Sequence, residues 1–115
     1  MCTIFSASIA ESAGFEPNEA IANLQGWTVD RQNQSAFYKI IHNLNLSHPE
    51  QLKIFVHSEY QPPFETQPTV IYNKAVEVFS QDANSFLVRT TERNSIRQDT
   101  YEQAGPFGFV AVLMD

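Results

Sequence analysis

The residue with the clearest chemical potential is Cys2, the only cysteine in this chain of 115 residues. It directly follows Met1, so removal of Met1 would place a thiol and a free amine on one terminal residue. Such an amine can act as the base for its own nucleophile, and residues of this kind catalyse amide hydrolysis. The alternative is that Cys2 is a small apolar residue at the start of a strand, which is the commoner role of a lone cysteine.

The first residues also carry a short resemblance. The opening M-C-T-I-F resembles the Met-Cys-Gly-Ile start of glutamine amidotransferases with an N-terminal cysteine, and the Met-Cys-Thr start of some bile-salt hydrolases. The resemblance implies a catalytic Cys2 in a four-layer fold much larger than this chain. It ends after these few residues, and no arginine or asparagine pattern for binding substrate accompanies it. We therefore interpret Cys2 as structural, and we predict no catalytic residue and no enzyme activity.

The other residues that bind metals or transfer protons are dispersed along the chain. His42, His48 and His57 form no pair at the i, i+2 or i, i+4 spacing of a metal site. The sequence has no glycine-rich phosphate loop. The carboxylates include no pair with the contrasting environments that a general acid and a general base require. The sequence therefore predicts no metal and no cofactor.

Charge is the strongest functional signal in the sequence. The formal net charge is −6 at pH 7, which disfavours nucleic acid and anionic membrane and favours a basic protein partner. The first 30 residues contain four acidic residues and neither Lys nor Arg. These four carboxylates either cap helices and keep the protein soluble, or form an acidic docking face for a basic protein.

A proline-rich segment supplies the aromatic part of a candidate interface. Three of the eight residues at 61–68 are prolines, which predicts an extended surface loop. Tyr60 and Phe64 flank two of these prolines, and aromatic rings on a stiff frame are typical of interface anchors. The alternative is that Phe64 folds back into the core. The predicted protein-binding site consists of Glu11, Glu16, Glu19, Asp30, Glu59, Tyr60, Phe64 and Glu65.

The clearest helical pattern lies in the middle of the first half. Phe37, Ile40, Ile41 and Leu44 have the i, i+3, i+4, i+7 spacing of one buried helix face. This spacing predicts a helix over residues 31–46. A shorter helix is predicted from position 17 to a glycine cap at Gly26.

Two capping-box patterns and several β-rich runs complete the prediction. The pattern at 47–50 predicts a helical turn, and the one at 95–98 predicts a helix to about residue 104. The run 107–113 is apolar on both faces and predicts a central strand. The runs 69–72 and 75–79 predict either one bent strand or two short ones. The remaining strands are predicted at 3–10, 52–57 and 85–91.

This order of elements predicts one α+β domain spanning residues 1–115. We expect a mostly antiparallel sheet with two or three helices packed on one face. The second half of the chain suggests a ferredoxin-like topology. The apolar fraction of 43%, with nine Phe, is sufficient for a real core.

These observations predict a non-enzymatic protein-binding module. We expect a small acidic inhibitor or immunity-type protein that blocks a basic surface of a partner such as a nuclease or another nucleic-acid-handling protein. The alternative is a small ligand-binding domain or enzyme on a dimeric ferredoxin-like scaffold, with a pocket that includes His57, Tyr72 and Phe109. A subunit of a larger assembly, with an exposed apolar patch, is a third possibility.

The sequence also predicts where the protein works and what it does not bind. A single cysteine, the absence of a signal-peptide pattern and the absence of a long apolar run predict a cytoplasmic protein. We expect no direct contact with nucleic acid or membrane, and a homodimer is left open.

Overall fold

The structure, a computed structural model, consists almost entirely of β-strands. It describes residues 2–31, 35–61, 72–96 and 99–114. One short 3-10 helix, Pro49–Gln51, lies between β4 and β5. The strands are β1 (Cys2–Ile9), β2 (Glu19–Ala20), β3 (Thr28–Asp30), β4 (Phe37–Ile41), β5 (Leu52–Ser58), β6 (Tyr72–Gln81), β7 (Ser85–Asn94), β8 (Tyr101–Glu102) and β9 (Phe107–Met114).

The strands form two antiparallel sheets that face each other. Sheet A has three strands in the order β1-β9-β5. Sheet B has the order β2-β3-β4-β7-β6, and β8 pairs with the last part of β7. Every pair is antiparallel, so the predicted antiparallel pairing is confirmed.

The predicted α+β fold is wrong, because the described part of the chain contains no helix longer than the three-residue Pro49–Gln51. The predicted helix over 31–46 is instead β4. Tyr38, Ile40 and His42 are buried while Lys39 is exposed, which is the two-residue period of a strand. The strand ends at Ile41, and Asn43 two residues later has a left-handed φ of 57°, which is incompatible with a continuing strand or a right-handed helix.

The other two predicted helices are also wrong. In the region 17–26, Asn18 and Asn23 have φ of 55° and 68°, and these left-handed residues interrupt any helix. The chain instead forms the short β2 and a turn that returns to β3. In the region 95–104, of which residues 97 and 98 lie outside the described residues, Tyr101 and Glu102 form β8 and pair with Glu92 and Thr91 of β7. With no helix packed against either sheet in the described residues, the ferredoxin-like arrangement is excluded.

The predicted strands agree with the structure. β1, β5 and β7 lie where the sequence places them, and β9 is the central strand of sheet A. The region 72–81 is one strand with a bulge between Val78 and Ser80. Residues 69–71 of that prediction lie outside the described residues. The predicted helical turn is confirmed as the 3-10 helix, where Gln51 Oε1 accepts a hydrogen bond from the backbone N–H of His48.

The core lies between the two sheets and is centred on Trp27. The Trp27 indole is stacked on Phe109 of sheet A, with ring centroids 5.8 Å apart, and its edge contacts Phe86 of sheet B. Phe5 of β1 and His42 also pack against it. Burial of one such ring contributes about 1.5–3 kcal/mol, so this aromatic cluster is a main attachment between the sheets.

In the described ranges, no helix has the length and hydropathy that a membrane span requires.

Candidate functional site

Two of the predicted binding residues, Glu11 and Tyr60, lie beside the nearly buried ammonium group of Lys74. Its ammonium group lies 3.2 Å from Glu92 Oε1 and 3.9 Å from Glu11 Oε1. It also donates a hydrogen bond to the Ala104 carbonyl at 3.2 Å and lies 4.8 Å from the centre of the Tyr60 ring. The Lys74 and Glu92 side chains are only 10% and 9% exposed, so they form a nearly dry ion pair. The structure therefore brings Glu11 and Tyr60, which are distant in sequence, to one place.

Glu59 extends this cluster onto the surface of sheet A. Its carboxylate accepts a hydrogen bond from Ser8 Oγ at 3.0 Å and lies 3.8 Å from His57 Nε2. The imidazole of His57 lies across Gly108, where an added Cβ would be 2.5 Å from Nε2. The absence of a side chain at Gly108 thus lets His57 approach Glu59.

The loop between β1 and β2 is built around Arg31. The Arg31 guanidinium donates hydrogen bonds to the backbone carbonyl of Glu11 and, at 2.9 Å, to the Tyr38 hydroxyl. It also lies 4.3 Å from the centre of the Phe15 ring. Burial raises the pKa of the Tyr38 phenol, and Arg31 opposes that shift. Arg31 is 8% exposed and bonded within the loop, so little of its guanidinium group faces solvent.

Two of the predicted carboxylates shape the same loop. Glu19 accepts a hydrogen bond from the Gly14 backbone N–H, and Asp30 accepts one from the Asn18 backbone N–H. The loop backbone therefore depends on these acids.

We define the acidic surface as Glu11, Glu16, Glu19, Asp30 and Glu59. Glu11 contacts both Lys74 and Arg31, and Glu19 and Asp30 accept hydrogen bonds from backbone N–H groups of the loop between β1 and β2. Glu59 contacts Ser8 of β1, and Glu16 is an exposed residue of the loop. Tyr60 borders this surface. Of the predicted site residues, Phe64 and Glu65 lie outside the described residues.

Charge is distributed unevenly between this surface and the rest of the molecule. Away from it, the described carboxylates Glu50, Glu77 and Asp82 are accompanied by Lys53 and Arg89, while Lys39 lies opposite Asp30 in the β3–β4 register. In the acidic surface and on the ends of β7 and β8, eight carboxylates are accompanied by four cations. They are Glu11, Glu16, Glu19, Asp30, Glu59, Glu92, Asp99 and Glu102, with Arg31, Lys39, Lys74 and Arg93. Among the described residues, carboxylates therefore exceed cations by four in this group and by one elsewhere.

Sequence reasoning missed Phe15 as part of the site. The Phe15 ring is about half exposed and stacks on Arg31. It lines an open cavity of about 230 Å³ together with Glu11 and Arg31. In the sequence it preceded a predicted helix, and only the left-handed turn at Asn18 and the contact with Arg31 give it an exposed position. No local sequence pattern signals such a contact.

The outer face of sheet A is a second missed feature. Ile4, Phe55 and Met114 are 64%, 63% and 48% exposed, and Val110 and Val112 lie between them in register. The predicted central strand is therefore covered on one face only. The sequence did contain a signal for this exposed face, because the even-numbered residues of β9 are apolar. The predicted helices that would have covered them do not form.

The alternative ligand pocket does not form. Phe109 is in the core, whereas His57 projects from the opposite face of sheet A, because β5 pairs Val56 with Phe109 and His57 with Gly108. Tyr72 begins β6 of the other sheet. In the described ranges, no three His, Cys, Asp or Glu side chains are placed to hold a metal ion. Cys2 is exposed and lies opposite Met114.

Comparison of the chain with protein-family models, with curated proteins and with solved structures finds no match.

Proposed function

We propose that this protein is a non-enzymatic binding module that covers a basic surface of a protein partner. The inhibitor or immunity class fits best, with a nuclease or another nucleic-acid-handling protein as the kind of partner. The observation that carries the proposal is the excess of described carboxylates over cations in the acidic surface and the adjoining ends of β7 and β8. The rest of the described molecule is close to electrically balanced.

The two buried cations strengthen this argument. Lys74 and Arg31 are held by internal contacts, so their cationic groups are largely withheld from direct contact with a partner, whereas the carboxylates are not. The carboxylates above them face outward, and the Glu11 side chain is 58% exposed. A surface of this kind accelerates association with a basic protein through long-range attraction.

Phe15 supplies the apolar anchor that charge alone does not provide. Interface hot spots are aromatic residues near the centre of a patch, surrounded by polar groups that exclude water. Phe15 lies between Glu11 and Glu16 and is held in place by the Arg31 guanidinium. The Phe15 side chain therefore loses little conformational entropy on binding.

The test uses tagged protein to capture partners from the native host at low and high salt. Phe15→Ala should weaken binding to the captured partner by more than tenfold, as expected for a hot spot worth about 2 kcal/mol. Glu16→Gln should mainly lower the association rate. The matched control is Glu50→Gln, because Glu50 is an exposed carboxylate on the 3-10 helix away from the acidic surface.

Support requires that the partner is basic, that its binding weakens with salt, and that the control binds like the wild type. If binding is independent of salt, the acidic surface is excluded as the interface. The same conclusion follows if Glu50→Gln weakens binding as much as Glu16→Gln does.

A further inference from the structure

The exposed edge of sheet A is an unpaired strand. β1 pairs with β9 along one side, in an unbroken register from Cys2 opposite Met114 to Ile9 opposite Phe107. In the described part of the chain, no strand pairs with its other side. Every second residue of β1 therefore directs a backbone N–H and C=O outward, where they can pair with a further strand.

β1 also lacks the features by which proteins protect such edges. Its sequence, CTIFSASI, has no charged residue, no proline and no glycine, and its register contains no bulge. The other described edges differ. β5 carries Lys53 and His57, β6 carries Lys74 and a bulge, and β2 has only two residues. β1 is thus the edge best suited to pairing.

We propose that β1 pairs antiparallel with β1 of a second copy of this chain, about a two-fold axis perpendicular to the sheet. The two three-stranded sheets become one six-stranded sheet. The occupant is a second copy because the edge offers a basic partner no charge to recognise. Two chains of net charge −6 can in turn approach each other more closely along β1, which has no charged side chain of its own; the Glu59 carboxylate contacts it only at Ser8, near its end.

The antiparallel direction also separates the two copies of Glu11. β1 leads directly into Glu11, so parallel pairing would place the two Glu11 residues side by side. In antiparallel pairing they lie roughly 30 Å apart along the strands, at about 3.3 Å per residue. That distance is about three Debye lengths at 0.1 M salt, so their repulsion is largely screened.

The register is restricted by the two faces of sheet A. Side chains directly opposite each other in an antiparallel pair lie on the same face. Even-numbered residues of β1 face outward, and Phe5, Ala7 and Ile9 face the core. Only a register that pairs even with even residues joins the two outer faces, and centring it on Phe5 or Ser6 gives the longest overlap. In both cases the two copies of Ser6 are opposite or diagonal neighbours.

Charges at Ser6 therefore test the proposal directly. Ser6→Lys and Ser6→Glu each introduce a charge on an exposed side chain without altering the core. Each variant alone should dimerise several-fold more weakly than the wild type, because like charges meet across the axis. Mixing the two variants should restore dimerisation as a heterodimer. The matched controls are Ser80→Lys and Ser80→Glu, on an exposed position of β6.

The measurement is sedimentation velocity from micromolar to millimolar concentration, with reducing agent present so that Cys2 cannot form an intermolecular disulfide. Hydrogen exchange then locates the contact, since alternate amides of β1 should gain protection as concentration rises. A wild-type protein that stays monomeric throughout overturns the proposal. So does a dimer that both Ser6 variants leave unchanged, or a failure of the mixture to recover. Glu16→Gln should not weaken the dimer, so this result is separate from the test of the acidic surface.

Discussion

The ion pair between Lys74 and Glu92 gives the sharpest prediction about stability, because its two partners differ in their remaining contacts. Without Lys74, the buried Glu92 carboxylate retains only the Tyr101 hydroxyl in the described structure. Without the Glu92 charge, Lys74 still has the Glu11 carboxylate and the Ala104 carbonyl. Lys74→Met should therefore lower the free energy of unfolding by about 3–5 kcal/mol, the usual cost of leaving a buried charge uncompensated.

Glu92→Gln should cost less, about 1–3 kcal/mol, which is the range for removing one partner of a satisfied buried group. The double variant Lys74→Met with Glu92→Gln should be more stable than Lys74→Met alone, because it no longer buries an unpaired carboxylate. Urea unfolding at pH 7 measures all three free energies. The emission of Trp27 is a suitable signal, since it is the only tryptophan and is 3% exposed.

The matched control is the ion pair of Glu77 and Arg89 on sheet B. Those side chains are 50% and 32% exposed, so Glu77→Gln and Arg89→Met should each cost less than about 1 kcal/mol through loss of the pair. The reasoning is refuted if Lys74→Met costs no more than Arg89→Met. A larger loss for Glu92→Gln than for Lys74→Met would refute the asymmetry.

Two further predictions concern backbone strain and pH. Gly14→Ala should cost about 1–3 kcal/mol in urea unfolding, because Gly14 has φ of 90° and a Cβ would lie 3.0 Å from a backbone carbon. Gly108→Ala should change stability by less than about 1 kcal/mol, since the obstructing atom belongs to the mobile end of His57. Burial lowers the pKa of His42, so the folded state resists protonation. The contribution of neutral His42 to the free energy of unfolding should be fully present above about pH 6.5 and should be lost as the pH drops below it. His42→Gln should remove part of that loss in acid unfolding curves, whereas His48→Gln, on an exposed turn, should not.

The failure of the predicted helix over 31–46 has a specific physical cause. Phe37, Ile40 and Ile41 fit the spacing of a helix face, but Tyr38, Ile40 and His42 fit the spacing of a strand equally well. The second pattern wins because β7 presents Phe86 and Val88 to this segment in register. That pairing joins residues about fifty positions apart, and local periodicity carries no information about it.

The candidate site likewise has features that the sequence could predict and features that it could not. Composition alone predicted that acidic residues would matter, and the terminal strand was predicted because it is apolar on every side. The arrangement beneath the acids was not predictable, since it depends on Lys74 and Arg31. Lys74 lies opposite Glu92 in the β6–β7 register and also reaches Glu11 in the loop after β1, and Arg31 reaches back to the backbone of Glu11. Such contacts are set by topology, which the sequence pattern misassigned.

The acidic surface and the β1 edge respond to salt in opposite directions, and this separates the two proposals in one titration. Binding of a basic partner relies on attraction between unlike charges, so added salt weakens it. Self-pairing brings together two chains of charge −6 along an uncharged strand, so added salt reduces their repulsion and strengthens the dimer. A rise in ionic strength should thus convert partner-bound protein into free dimer. Because β1 and Glu11 are contiguous in the chain, this opposition arises within about ten residues, at the point where an uncharged strand becomes an acidic loop.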